Sequence, residues 1–419
     1  MKETRNTYIL RPQSPVPSPQ SLFTPLTPQV RRLLDGIPAL IDKVFPLPAR
    51  FRPALPKDVA ELSRLLTSGR GERGLSYMGK PPLLSAYLRY FLPWNLYRLC
   101  RLLPGLDITL SAGDMVTDLG CGPLTLASAL WICREDLRSV PLEINCIEQN
   151  RSALEAGKKF FSALVGENSQ WKINTIKSDL KNFKTQNADL SRNAALVCAV
   201  NVFNEMYGDI SRSRENSLSL NAGKASRLLA GFGSASSAFL VVEPGFPRCG
   251  ELISLLRGAF LEQDIRLLSP CTHEKICPMQ GTKRWCHFAF ETDDAPEALH
   301  RLSAAAKLPK ERAVLSFIYA SHTGCTASHT GCTASQPGRD PSHQGCAASN
   351  TEEKMRIISD AFPLFHNRFG RYCCSAQGLA LLTGEKNIIE KKYCGSLIND
   401  VIIKGGRDPK SGALIAELA

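Results

Sequence analysis

With 419 residues, 43% of them apolar, the chain can bury one large core or two smaller ones, and its composition excludes a disordered protein. The formal charge is +12, and residues 1–110 hold 16 Lys/Arg against 7 Asp/Glu, so the basic excess is mostly N-terminal and favours a polyanionic partner such as RNA; no DNA partner is expected. No apolar secretion-signal core or membrane-length run is present, so the expected location is cytoplasmic with no membrane partner, and the fifteen cysteines read as reduced thiols and metal ligands, not a secreted disulfide framework.

Residues 1–28 are rich in Pro, Ser and Thr and read as a flexible arm. Residues 29–110 form a basic helical region: VRRLLDGIPALIDKVF, DVAELSRLLTSG and PLLSAYLRYFLPWNLYRLCRLL carry apolar residues at helical spacing between Pro-rich breaks. Tyr87, Tyr90, Phe91, Trp94 and Tyr97 lie among Arg89, Arg98 and Arg101, a mixture that suits stacking on bases or, for most of these rings, core packing. Residues 111–292 then alternate strands (MVTDLG, EINCIEQN, INTIKSDL, AALVCAVNVF, SAFLVVEPG) with helices, which predicts a doubly wound parallel sheet. DIRLLSP and WCHFAFE are expected to complete seven strands, with a cysteine-rich loop, 271–286, joining the last two.

Residues 293–320 read as a helical connection. Residues 321–350 hold the heptads SHTGCTA, SHTGCTA, SQPGRDP and SHQGCAA, a low-complexity insertion with no apolar face to bury. Its Cys325, Cys332 and Cys346 alternate with His322, His329 and His343, yet near-perfect short repeats point to expansion in a tolerant loop and not to a metal site. Residues 351–419 alternate like short strands and form a small β-rich region.

In DLGCGP, Gly120 and Gly122 remove side chains where the first strand turns into a helix, so a cofactor can lie against backbone amides. Glu148 ends the second strand, where a carboxylate accepts from both ribose hydroxyls of an adenosyl group. Asp179 ends the third, in reach of the adenine amino group, and Asp118 is expected to face the cofactor's amino acid end. Asn201, with Asn204 and Glu205, follows the fourth strand near the methyl end. This series suits S-adenosylmethionine, whereas a nicotinamide dinucleotide wants the full G-x-G-x-x-G. No residue is identified as a catalytic base, which methyl transfer does not require, because it depends chiefly on alignment.

Cys271 and Cys277 are separated by five residues and Cys277 and Cys286 by eight, wider than the paired spacing of zinc ribbons, so zinc is the alternative. A thiolate-rich loop with Pro278 after Cys277 suits an iron–sulfur cluster. The fourth thiolate can come from Cys374, with Cys373 beside it, if the C-terminal region folds back on the sheet; His273 and His287 are reserve ligands.

SAYLRYFLPWNLYRL, VTDLGCGP, LVVEPG, SPCTHEKICP, WCHF and the late CCSAQG together resemble the Rsm-twenty-two family, methyltransferase-like proteins of bacteria and mitochondria associated with the small ribosomal subunit. The resemblance covers roughly residues 75–395. It implies a class I (seven-stranded, Rossmann-like) methyltransferase fold with a four-iron, four-sulfur cluster, and partners in the small ribosomal subunit and its rRNA. It suggests Cys271, Cys277, Cys286 and Cys374 as ligands, the last because it holds the cysteine position of the segment CSAQG. The function so implied is a methyltransferase acting on or with small-subunit rRNA. The alternatives are a non-catalytic assembly factor that binds rRNA with the same fold and, less in keeping with the basic N-terminal region, a small-metabolite methyltransferase.

Overall fold

The computed structural model describes residues 21–67, 69, 77–167, 169–181, 193–207, 215–322 and 354–418. Local chemistry explains its N-terminal helices. Thr27 Oγ1 accepts from the Val30 N–H at 3.3 Å and Pro28 opens the first turn, so α1 (Pro28–Val44) starts at a side-chain cap. Val30, Leu34, Ile37 and Ile41 recur at helical spacing along its buried stripe, and α2 (Leu55–Leu66) buries Val59, Leu62 and Leu65 in the same way. Helix α3 (Pro81–Ala86) passes through a π turn, Tyr87–Phe91, into α4 (Leu92–Leu102).

The base-stacking role is excluded for Tyr90, Trp94 and Tyr97, which are buried. Trp94 Nε1 donates to Ser303 Oγ at 3.2 Å, and Arg101 pairs with Asp294 at 2.8 Å. Residues 21–27, read as part of the flexible arm, are ordered. Ser21 bridges Ser396, the Leu22 N–H donates to Gly395 O at 3.4 Å, and the Phe23 ring lies 5.5 Å from Phe288 and 4.9 Å from Phe290. Two large apolar side chains with an aromatic cluster to join outweigh the Pro/Ser composition around them. The rest of the arm and the heptads after His322, with their cysteines, lie outside the described residues.

Strands β1 (Met115–Leu119), β2 (Glu143–Glu148), β3 (Lys172–Lys177), β4 (Ala194–Val200) and β5 (Gly233–Pro244) pair in parallel in the order β3-β2-β1-β4-β5. Between them run α5 (Thr125–Cys133), α6 (Arg151–Val165), α7 (Phe203–Met206) and α8 (Glu215–Ala230). One sheet face packs Val116, Ile144, Cys146 and Leu240 with α1–α6; the other packs Leu119, Ile147, Val197 and Val241 with α8 and α9 (Pro247–Leu261). The central run of strands is therefore apolar on both sides, as a covered parallel sheet requires.

The closing strand departs from the sequence reading. Residues 293–320 hold α10 (Glu297–Ala305) and most of β8 (Arg312–His322), so the sheet extends past residue 292. Strand β8 lies antiparallel between β5 and β6 (Ile265–Ser269). Its run AVLSFIYAS is buried on both faces and lacks the alternation that marks a half-exposed strand. The short strand β7 (Phe288–Glu291) also pairs with β8, over Arg312–Leu315, while β6 pairs with 319–322. β6 and β7 thus lie end to end along one side of β8, and the cysteine loop is the excursion between them. Five parallel strands with an antiparallel strand inserted before the edge form the class I methyltransferase arrangement.

The C-terminal region is a second sheet of β9 (Met355–Ile357), β10 (Phe362–Pro363), β11 (Arg368–Ser375), β12 (Gly378–Glu385), β13 (Leu397–Ile398), β14 (Val401–Arg407) and β15 (Leu414–Leu418). It has its own small core of Met355, Ile357, Cys373, Leu382 and Ala416.

Candidate functional site

The carboxyl ends of β1 to β4 surround a cavity of about 160 Å³ lined by Gly120, Gly122, Glu148, Asp179 and Asn201. A crevice at strand ends is where an open α/β sheet binds ligands. Gly120 and Gly122 have φ of +66° and +53°, and a Cβ on Gly120 would lie 2.7 Å from Val202 Cγ2. Helix α6 comes close to the same turn at Gly157, where a Cβ would lie 2.5 Å from the Pro123 carbonyl carbon. Glu148 Oε2 accepts from the Gly122 N–H at 3.2 Å and Oε1 from the Asn150 N–H at 2.8 Å. Burial raises the Glu148 pKa, and these two N–H groups oppose the rise. Asp179 Oδ1 accepts from the Lys181 N–H at 2.9 Å, and the Asn201 N–H donates to Val242 O at 2.7 Å, holding that asparagine at φ +58°.

Asp118 does not line this cavity. It is 1% exposed, in register with Cys146 and Cys198 on the neighbouring strands, and neither carboxyl oxygen has a hydrogen-bond partner among the described residues. Burial, then the nearby Glu148, pushes its pKa well above the usual carboxylate range. The expectation that it faces the amino acid end of a cofactor is replaced by a place behind the glycine turn.

Two wall residues, Tyr77 and Tyr87 of the N-terminal helical region, escaped the sequence reading of this cleft or were given another role, and Glu205 of α7 joins Asn201 in the same lining. The Tyr77 hydroxyl lies 3.4 Å from each Glu205 carboxylate oxygen, joining the two sides of the cavity.

Beneath α7 lies Glu243 of β5, wholly buried. Its Oε1 accepts from the Phe203 N–H at 2.8 Å and its Oε2 from Asn204 Nδ2 at 2.7 Å, so it anchors the segment that carries Asn201, Val202 and Glu205. Burial raises its pKa from 4.5 to about 7, against the pull of these donors. A carboxyl raised in the folded state binds its proton more tightly there than in the unfolded chain. Its contribution to stability is complete below pH 4.5 and is lost as pH rises through about 7. The stability advantage of the wild type over Glu243→Gln is therefore expected to shrink by up to about 3 kcal/mol across that window. Denaturant titrations of both proteins at pH 5 and pH 8 check this, and a constant difference would refute it.

The second constellation lies where the two sheets meet. Cys271, Cys277, Cys286 and Cys374 line one cavity of about 30 Å³ together with His273 and Arg257. Alternation along β11 decides between the two adjacent cysteines: Cys374 faces this cavity, while Cys373, 0% exposed, belongs to the C-terminal core. His273 Nε2 lies 3.6 Å from Cys374 Sγ; His287 instead stacks on Trp285, with ring centroids 5.0 Å apart. A Cβ on Gly250 of α9 would lie 2.7 Å from Trp285 Cδ1 and 2.8 Å from Cys286 O, so the helix clamps the loop. Burial pushes the Cys271, Cys286 and Cys374 thiols up, and Arg257 opposes this at Cys271 and Cys374.

Sequence reasoning missed both cations at this cavity. Arg257, 4% exposed, donates through Nε to Cys271 Sγ at 3.4 Å and through Nη2 to His273 O at 2.7 Å. Arg356 donates to Pro270 O at 3.1 Å and Gly395 O at 2.9 Å, and burial lowers its pKa to about 10. Among the described residues, no three His, Cys, Asp or Glu side chains converge closely enough to hold a single metal ion. A larger concavity of about 810 Å³ lies on the C-terminal sheet; Arg368 pairs there with Glu417 and Lys386 with Glu390, and it gathers none of the residues above.

The sequence profile of the family described as mitochondrial small ribosomal subunit Rsm22 matches residues 114–337, more than half of the chain. No curated protein sequence matches. Among solved structures, a TehB-like SAM-dependent methyltransferase from Corynebacterium glutamicum is 12% identical, covering 65% of this chain and 100% of its own, with a TM-score of 0.29. A SAM-dependent methyltransferase from Geobacter sulfurreducens in complex with S-adenosyl-L-homocysteine is 11% identical, covering 62% and 98%, with a TM-score of 0.31. Among the described residues, no helix is long and apolar enough to cross a membrane.

Proposed function

Given that the chain belongs to the Rsm22 family, described as mitochondrial small ribosomal subunit, we propose that it binds S-adenosylmethionine and acts on or with small-subunit ribosomal RNA. The observation that carries this reading is the convergence of Gly120, Gly122, Glu148, Asp179 and Asn201 on one cavity at successive strand ends. Bound there, S-adenosylmethionine supplies an electrophilic methyl group. The glycine turn lets it approach backbone, Glu148 accepts from the ribose hydroxyls, and Asp179 accepts from the adenine amino group. Asn201, Glu205, Tyr77 and Tyr87 shape the end where the methyl acceptor enters, and alignment of that acceptor is their contribution.

One observation favours the non-catalytic assembly factor as the second reading. Asn204 and Glu205, the polar groups following β4, are engaged with Glu243 and Tyr77. A calorimetric titration with S-adenosylmethionine, followed by assay of methyl transfer to immature small-subunit RNA, separates the readings. Binding with transfer is the expected result. Binding without transfer would favour the assembly factor, and no binding would sink the cofactor site. After the family's description we assign the protein to the mitochondrion in preference to the cytoplasm.

We also assign Cys271, Cys277, Cys286 and Cys374 to a four-iron, four-sulfur cluster, with zinc as the alternative. The donor set fits: four thiols line the cavity, and no carboxylate does. Arg257 supports the same reading, because a buried guanidinium without a carboxylate partner among the described residues is costly and calls for an anionic neighbour, which thiolates bound to iron and sulfide provide. Such a cluster would tie the C-terminal sheet to the central one.

A further inference from the structure

Residues 43–57, KVFPLPARFRPALPK, join α1 to α2 and carry Lys43, Arg50, Arg52 and Lys57 without a single Asp or Glu. Residues 48–54 are all exposed, including the whole short turn Ala49–Ala54. Phe51 is 48% exposed, and the Arg50 guanidinium carbon lies 4.8 Å from its ring centroid. The turn is stiff. The Phe51 N–H donates to Pro48 O at 2.9 Å, Arg52 Nε donates to Leu47 O at 3.3 Å, and Pro46, Pro48, Pro53 and Pro56 fix φ at four positions. Asp42, the acid just before this segment, is bound by Arg89 at 3.0 Å. Among the described residues, the four cations of the segment form no ion pair.

We infer that this turn is a contact for single-stranded RNA, with Phe51 stacking on an unpaired base while Arg50, Arg52 and the flanking lysines take phosphates. The inference rests on the ribosomal RNA reading above and names a surface for it. An exposed ring between two arginines on a rigid backbone matches a polyanion whose repeating units each present a π face. An acidic peptide would answer the charge and leave the ring without a partner. Preorganisation by the prolines removes part of the ordering cost on binding.

The test uses the full chain and a fluorescent single-stranded RNA of mixed sequence, with affinity measured over a range of salt concentrations. Phe51→Ala is expected to weaken binding by roughly 5- to 150-fold, the range for one stacked base, and Phe51→Trp to retain it. Replacing both Arg50 and Arg52 by Gln should reduce the slope of log affinity against log salt by about 1.4. Phe365→Ala is the control, because that ring is 79% exposed on the C-terminal sheet and also lies beside a cation, Lys410 at 5.6 Å. Unchanged affinity in Phe51→Ala, or an equal loss in Phe365→Ala, overturns the assignment and leaves RNA binding standing. Failure of the wild type to bind RNA overturns both. Tighter binding of polyglutamate than of RNA, lost in Phe51→Ala, would reassign the turn to an acidic protein.

Discussion

Gly120→Val is expected to remove S-adenosylmethionine binding from a chain that still folds. The new side chain must enter a left-handed backbone position and begin 2.7 Å from Val202 Cγ2, in the wall of the cavity. Left-handed strain of about 1–2 kcal/mol falls on stability, whereas overpacking of about 1–3 kcal/mol in the cavity wall opposes the bound form and corresponds to a loss of roughly 5- to 150-fold in affinity. Gly113→Ala separates the two causes: its φ is +87° but nothing lies within 4 Å of its Cβ, so it should cost stability and leave affinity unchanged. Adding Val202→Ala to Gly120→Ala should restore part of the binding by clearing the contact. Calorimetry showing wild-type affinity for Gly120→Val would remove the glycine turn from the site. Asp118→Ala should have a smaller effect on affinity, since that carboxyl lies behind the turn.

Cys374→Ser is expected to yield colourless protein without iron or sulfide after anaerobic purification, while Cys373→Ser stays brown. The adjacent side chains point to opposite faces of β11, so one cannot stand in for the other without a one-residue slip of the whole strand. Because binding at a structural metal site is coupled to folding, Cys277→Ser and Cys374→Ser should also loosen the C-terminal sheet, readable as faster amide exchange in β9 and β11. Stoichiometric zinc without sulfide in the wild type would turn the centre into a zinc site. Full cluster retention in Cys374→Ser would falsify the ligand assignment.

The parts legible in the sequence were those governed by short-range pattern. The glycine turn stands between an apolar strand and a helix, Glu148 is the last residue of its strand and Asp179 stands two residues past the end of its own, so periodicity alone put them at one edge. β8 was hidden because burial on both faces erases alternation. Asp118 was misread because a strand's last residues can point into the sheet's packing as easily as into the crevice. Glu243 did leave a signal, a lone acid inside the apolar run FLVVEP, which must find donors once buried. Arg257 and Arg356 left none: an arginine in a helix and one in a short strand look like surface residues until a fold 99 positions apart sets them beside the same thiols.

The contact of Ser21 and Leu22 with Gly395 and Ser396 joins segments more than 370 positions apart in the sequence. During synthesis it cannot form until residue 396 has emerged, 375 positions after Ser21. Until then Leu22, which is buried in the finished protein, lacks the backbone partner that fixes it, and the phenylalanines that receive Phe23 are held by the core sheet alone. A closure of such long range is slow in entropy terms and leaves apolar surface waiting. The segment around Leu22 is thus made long before it can be locked, which gives chaperones a window that the order of helices and strands alone would not reveal.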